Sequence, residues 1–423
     1  MLKDVLAAQI PALRAEIKEL VKAHGEKVIS EVTIAQLYGG MRGVKALICD
    51  TSLVEPDRGL ILRGHPINEL TQCLPDDIFF LLCTGRLPST AERADLQRAL
   101  AERADVPDYV WDVMRALPAD SHPMSMLVAG IIAMQHESVF AHEYAAGTLS
   151  TDDYWIATLE DALTLLARMP GLAAGIYRLR FGKGDLIPYD KKRQWGANYA
   201  HMLGIPDPSG EFTNLINLYL VLHSDHEGGN VSAFSCATVG SALSDAYYSV
   251  GAGLSGLAGP LHGLANQECL AFVLDIRDHF KGVPSDEQLV QYAWDKLNSG
   301  HVIPGYGHAV LRATDPRFTA FHEFGKRVCP GDEVFQIVDK MFRLIPDVLK
   351  KQGKAKNPYP NVDAGSGALL HHFGMTEVSY YTVLFSVSRA MGMLSQLVIA
   401  RAMGYPIIRP KSVQTDWVKA QCK

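Results

Sequence analysis

The chain has 423 residues, 48% of them apolar, which is enough to bury a large core divided between two domains. Forty basic and forty-six acidic residues leave a formal charge of -6. No global charge therefore draws nucleic acid or an anionic membrane surface, and an anionic ligand must be held by local arginines and lysines. Seven scattered cysteines, odd in number and never spaced C-x-x-C, read as reduced thiols of an intracellular compartment.

The N-terminus enters a helical pattern at once, with no signal-peptide apolar region and no Arg-rich presequence, so a leader is either absent or removed. Residues 11–24 place Leu13, Ile17, Leu20 and Val21 at helical spacing, which predicts an amphipathic helix burying that stripe. Two short apolar runs follow, Lys45–Cys49 and Gly59–Arg63, separated by the turn residues Glu55–Arg58, and they predict a small β-hairpin. Beyond Ile67 the pattern is a succession of helices, with Pro75 and an acidic first turn opening one and a loop at 185–190 preceding another.

The stretch from Ala246 to Gln267 carries no Asp, Glu, Lys or Arg over 22 residues, long enough for a membrane span. Its five glycines, Pro260 and His262 argue instead for helices packed closely in a core. Residues 275–356 are richer in charge and predict a smaller second domain. Val378–Met403 predicts a long buried helix, with Ser388 and Gly392 spaced for a close helix crossing. The fold class is therefore mainly all-α. The last three residues match no peroxisomal or lipidation signal.

Three segments concentrate unusual residues: Gly259–Glu268, Val302–Arg312 and Pro360–Gly367. Each sets one titratable group, His262, His308 or Asp363, among glycines, prolines and small residues that let a ligand approach the backbone. Gly259-Pro260 ahead of a helical pattern puts His262 near a helix N-terminus, whose dipole favours a neutral imidazole able to donate one hydrogen bond. Taken singly, each has a plain structural reading: a loop histidine, or an aspartate capping a helix. Arg389 inside an apolar helix calls for an anionic partner, whereas Arg317 reads as a surface residue. His223 and His226 with Glu227 hint at metal, but the spacing is not H-E-x-x-H and no third ligand is evident, so no metal site is expected.

The strings PLHGLANQE, PGYGHAVLR followed by TDPR, and NVDAGSG resemble the three catalytic stretches of citrate synthase. The similarity extends through LYGGMRG, LRGHPI, HPMSML, HSDHEGGNVSA and RPKS, and is greatest to the eukaryotic mitochondrial type. The resemblance implies a two-domain helical fold with a small β-hairpin near the N-terminus. Residues 1–264 and 370–423 would form a large, dimer-forming domain, and 265–369 a small domain closing over the active site. It implies acetyl-CoA and oxaloacetate as substrates, no cofactor, no nucleic acid or membrane partner, and a place in the mitochondrial matrix.

By the same resemblance Asp363 is the base that takes a methyl proton from acetyl-CoA. His262 donates to the thioester oxygen as charge develops, and His308 polarises or protonates the oxaloacetate carbonyl. Oxaloacetate has two carboxylates, which suit the planar forks of Arg317, Arg389 and, from the second chain of a homodimer, Arg409; His226 adds a hydrogen bond. Coenzyme A would meet Arg42, Val302, Gly305, Tyr306, Ala309, Arg312, Lys354 and Asn361. Ser150–Asp153 stands where close relatives carry basic residues, so one phosphate contact is in doubt. Phe234, Cys236 and Gly365 also replace more polar residues.

The same pattern admits 2-methylcitrate synthase, with propionyl-CoA as the thioester, and a catalytically silent relative with a binding role. An ATP-dependent citrate lyase would need a nucleotide-binding portion, and no G-x-x-x-x-G-K-[ST] is present.

Overall fold

Helices make up nearly all the regular structure of residues 1–308 and 310–422, the part of the chain that this computed structural model describes. At the centre lies the helix Tyr381–Met403, largely apolar and buried along most of its length. A helix of that composition needs neighbours all round. It finds them in the helices Tyr154–Arg180, Pro75–Thr84, Val231–Ser241 and Ala246–Leu257. The stretch Val378–Met403 is long and apolar enough to cross a bilayer, but it is buried inside the protein.

The Ser388–Gly392 spacing serves the expected close helix contact at one end, against the helix Glu211–Leu222, and a loop at the other. Gly392 receives a loop: its N–H donates to the Ser224 carbonyl at 3.0 Å, and a Cβ there would strike the Asp225 carboxylate. Ser388 donates to the Leu220 carbonyl at 2.5 Å. In the charge-free region Gly253 brings the Ala246–Leu257 helix onto the Ser232 carbonyl and Met393, the close core packing that the small residues predict.

Five further helices, Ala265–Phe280, Asp286–Asn298, Pro316–Val328, Glu333–Gln352 and Asp363–His372, pack on one another. They bury Leu270, Ile276, Leu289, Phe318, Ile337, Ile345 and Leu369 between them.

The three-stranded sheet is formed by β1 (Ser52–Glu55), β2 (Gly59–Leu62) and β3 (His65–Pro66), all antiparallel. Its turn lies where predicted, but the first strand does not: Lys45–Cys49 is irregular and Ile48 is exposed. A tight turn pairs the residues that immediately flank it. Glu55 faces Gly59 and Ser52 faces Leu62, so the partner strand is the segment just before Pro56.

The first helix runs from Leu2 to His24 and buries Leu2, Leu6 and Ile10, whereas Leu13, Leu20 and Val21 of the predicted stripe are exposed. The buried side chains of this helix are confined to its first half, and the helix packs on the Pro75–Thr84 and Tyr381–Met403 helices.

Candidate active site

The three titratable groups singled out in the sequence, two arginines and His226 come together where the two groups of helices meet. His262 lies in the one-turn helix Pro260–Gly263, opened by Pro260 at its first position. The backbone N–H of Ser232 donates to its Nε2 at 3.2 Å, and Ser232 Oγ is 3.0 Å from the same nitrogen. An N–H can only donate, so Nε2 is unprotonated and the ring proton sits on Nδ1. Burial, reinforced by the Arg389 guanidinium, brings the imidazole pKa down to about 4. His262 is therefore neutral at pH 7, as expected, but the cause differs. A one-turn helix aligns too few peptides to supply much dipole, and burial does the work instead.

His308 is fixed in the opposite tautomer. Its Nδ1 accepts the backbone N–H groups of Val310 and Leu311, each at 3.0 Å, which leaves the proton on Nε2. Burial and the nearby Arg317 lower its pKa. Its ring centroid is 5.9 Å from that of His226, whose pKa is pushed well down by burial and by Arg317 and Arg389.

Asp363 opens the helix Asp363–His372. The segment before it is zipped to the loop before His308: Asn361 N–H donates to the Gly305 carbonyl at 2.9 Å and Gly307 N–H to the Tyr359 carbonyl at 3.1 Å. Asn361 also accepts from the Asp363 N–H at 3.0 Å and donates to the Gly307 carbonyl at 3.1 Å. This pairing is what carries His308 and Asp363 into one site from positions 55 residues apart in the sequence. Among the described residues no hydrogen bond reaches the Asp363 carboxylate. Burial raises its pKa to about 6 despite the opposing fields of Arg317 and Arg389.

The two arginines differ. Arg317, which the sequence alone suggested was a surface residue, is only 4% exposed. Its Nε and Nη2 grip Asp315 at 3.0 and 2.7 Å, while no hydrogen bond to Nη1 is found among the described residues. Asp315 caps the helix Pro316–Val328 by accepting the Arg317 N–H; burial alone would raise its pKa, but Arg317 holds it below the ordinary carboxylate value. Arg389, 2% exposed, lies over the Phe385 ring at 4.8 Å and donates to neutral acceptors only: Ser232 Oγ at 3.2 Å, Asn230 Oδ1 at 3.3 Å and the His223 carbonyl at 3.4 Å. Burial lowers its pKa to about 10, with Asp225 opposing. The expected anionic partner is thus missing as a direct contact among the described residues, and the guanidinium remains a buried cation in need of one.

Arg409 stands apart in this single chain: it is exposed, and its segment is tied down by the Ile408 N–H on Ser241 Oγ at 3.0 Å. Of the residues expected to meet coenzyme A, Arg42, Val302 and Lys354 are exposed. Gly305 packs on Ala364 and Cys269, Tyr306 bridges to Pro360, and the Arg312 guanidinium turns back to the Val310 and Leu311 carbonyls. Ala309 lies outside the described residues. At the doubtful phosphate position Asp152 pairs with Arg14 at 2.8 Å.

Sequence reasoning missed Asp315, Ser232 and Asn230, which hold the reactive groups in place. Asp315 could have been found: an Asp-Pro pair ahead of a helical pattern is a capping signature. Asn230 likewise caps the helix Val231–Ser241. Nothing local marks Ser232, whose bonds reach His262 and Arg389 across the chain.

The chain is similar to known proteins over nearly its whole length. The family model "Citrate synthase, C-terminal domain" matches residues 40–411. The chain is 48% identical over 427 aligned residues to a probable mitochondrial citrate synthase of Glossina morsitans morsitans, covering 98% of this chain and 91% of that protein. It is 46% identical over 432 residues to citrate synthase 4, mitochondrial, of Arabidopsis thaliana, covering 100% and 90%. Its fold is similar to the crystal structure of citrate synthase from Pyrobaculum aerophilum, with a TM-score of 0.80, 28% identity and coverage of 92% and 95%.

Proposed function

Because this chain belongs to the citrate synthase family, we propose that His262, His308 and Asp363 perform the acid and base steps of its reaction, with Arg317, Arg389 and His226 holding oxaloacetate. The chain is an acyltransferase that condenses acetyl-CoA with oxaloacetate and hydrolyses citryl-CoA to citrate and CoA. The observation that carries the residue assignment is a pair: a buried guanidinium, Arg389, without a carboxylate partner among the described residues, and Asp363 within its field, whose carboxylate accepts no hydrogen bond among those residues and titrates near 6.

The steps follow from the hydrogen-bond directions. Oxaloacetate supplies the carboxylates that Arg389 and Nη1 of Arg317 do not find among the described residues, with His226 adding a polar contact. Asp363 takes a methyl proton from acetyl-CoA, and the electron pair moves onto the thioester oxygen, where His262 Nδ1–H donates. The enolate carbon attacks the oxaloacetate carbonyl carbon, the C=O π pair moves onto oxygen, and His308 Nε2–H, which polarised that oxygen, protonates it to give citryl-CoA. Asp363 returns its proton to the His308 ring through solvent, and water then cleaves the C–S bond of citryl-CoA, with CoA leaving as the thiol. A neutral imidazole suits the enolate because it donates without releasing a full proton. His262→Asn is expected to lower kcat by roughly 100- to 1000-fold with the oxaloacetate KM little changed, read by thiol release on mixing acetyl-CoA and oxaloacetate. A loss below tenfold would remove His262 from the oxyanion role.

Residues 265–369 are proposed to close over the bound oxaloacetate and shield the enolate from water. Arg42, Val302, Gly305, Tyr306, Ala309, Arg312, Lys354 and Asn361 are assigned to coenzyme A on the family resemblance, and no resident cofactor is invoked. An archaeal citrate synthase from Thermoplasma acidophilum, of the same fold at a TM-score of 0.75, has been crystallised with carboxymethyl coenzyme A and oxaloacetate. Both curated relatives are named mitochondrial, and we assign this chain to the matrix.

A homodimer with shared sites is supported by the surface behind His262. Leu261 is fully exposed at 103%, and Val231, Phe234 and Tyr248 are exposed on the two helices packed beside it. Such a patch calls for a partner, and a second copy lying there would bring its own Arg409 within reach of the site. Leu261→Asp with Phe234→Asp should yield a folded monomer by sedimentation, with the oxaloacetate KM raised at least tenfold. A dimer that survives both changes would move the interface elsewhere.

A further inference from the structure

The hairpin turn between β1 and β2 has no part in the chemistry above, yet it touches the chain at two points, one just ahead of the Asp315–Arg317 pair and one at Pro316 between its two members. At the first the Pro56 carbonyl accepts the Arg312 N–H at 2.7 Å. At the second, Gly59 lies flush against Pro316, the first residue of the helix Pro316–Val328; a Cβ on Gly59 would fall 2.5 Å from Pro316 Cδ and 2.9 Å from Cγ. The same seam borders a groove of about 860 Å³, lined by Arg58, Thr314 and Pro316 at the start of the helix, by Thr319 and Phe324 further along, and by Asn68 opposite. Within this seam the Gly59–Pro316 contact is closed, at the end of the helix that Asp315 caps.

We propose that Gly59 is a positioning residue for oxaloacetate binding, a stop against which Pro316 rests and which sets where the Arg317 guanidinium lies. Arg317 cannot adjust independently, because Asp315 grips it through its main-chain N–H, Nε and Nη2. A displacement of Pro316 therefore moves cap and fork together. Misplacing a substrate-orienting group by about 1 Å is costly even when the group itself is intact. The inference rests on Arg317 being a carboxylate donor, and the two fail separately: Arg317→Lys removes the guanidinium itself, whereas Gly59→Ala keeps it chemically intact and shifts only its position.

Gly64 provides the control. It lies in the turn between β2 and β3 with φ +86°, like Gly59 at +77°, but a Cβ there meets nothing within 4 Å. Alanine at either site incurs the backbone strain of a positive φ; only alanine at Gly59 also pushes on Pro316. Gly59→Ala is expected to raise the oxaloacetate KM about tenfold with kcat at saturation kept within about threefold, and Gly64→Ala to lower Tm with the KM unchanged. The double variant Gly59→Ala/Pro316→Ala removes the struck ring atoms and should recover most of the lost KM, a coupling that a merely destabilising substitution would not produce. An oxaloacetate KM in Gly59→Ala equal to that of Gly64→Ala, or no recovery in the double variant, overturns the proposal. If Gly59→Ala does not fold, Pro316→Ala alone decides: loss of the stop should raise the oxaloacetate KM severalfold, and an unchanged value rejects the idea.

Discussion

Asp363→Asn is expected to lower the condensation rate by about 10²- to 10⁴-fold, the range for losing a positioned general base, while oxaloacetate still binds. The wild-type protein should have an acid limb in kcat/KM centred near pH 6, because the burial-raised Asp363 must be ionised to accept the methyl proton. His262 titrates near 4, and His308 and His226 are also lowered, so none of them accounts for that limb. The same shift has a stability consequence. The folded pKa of about 6 lies above the ordinary value of 3.8. Between these two values the unfolded chain ionises while the folded one does not. The contribution of Asp363 to stability is therefore fully present below about 3.8 and is lost as pH rises through about 6. At pH 8 Asp363→Asn should stabilise the ligand-free protein by about 1–3 kcal/mol in urea unfolding. A variant both inactive and less stable would contradict the buried-base reading.

The parts of this molecule legible in the sequence are those written in local pattern. The 23-residue helix at Tyr381 announces itself by its largely apolar composition, and the turn at 55–58 by Pro56 and Asp57. What remained hidden depends on long-range pairing. No periodicity in Leu13, Leu20 and Val21 says whether their own chain or another covers them. Nor does Lys45–Cys49 reveal that β2 takes Ser52–Glu55 as its partner. In the site, His262, His308 and Asp363 stood out because glycine and proline crowd around them. Their protonation states could not be read: these are set by the Ser232 and Val310 N–H groups on the two rings and by the burial of Asp363. Arg317 was misjudged for a related reason. Its burial is created by Asp315, a neighbour whose signature is that of an ordinary helix cap.

Arg389→Met should raise the oxaloacetate KM by at least 100-fold and leave the ligand-free fold within about 1 kcal/mol of the parent. The large effect arises because a substrate carboxylate would lose a fully desolvated charge partner, a change that typically costs about 2–5 kcal/mol. The small one arises from cancellation. Methionine gives up hydrogen bonds to Ser232, Asn230 and the His223 carbonyl, but it also removes a buried cation that has no direct carboxylate partner among the described residues, and a hydrophobe of similar volume is often tolerated in such a place. Two readouts separate the terms. In the parent, oxaloacetate should raise Tm by mass action and, if residues 265–369 close over it, reduce the radius of gyration in scattering; in Arg389→Met both responses should vanish at the same ligand concentration. If the ligand-free variant instead unfolds several kcal/mol more easily, Arg389 is a structural cross-link between the Tyr381–Met403 helix and the loop around Asn230. The pull towards oxaloacetate would then have to come from Arg317 and the partner subunit's Arg409. The fit of the guanidinium to neutral acceptors alone favours the first outcome, since a cation kept for structure would be expected to hold a carboxylate, as Arg317 holds Asp315.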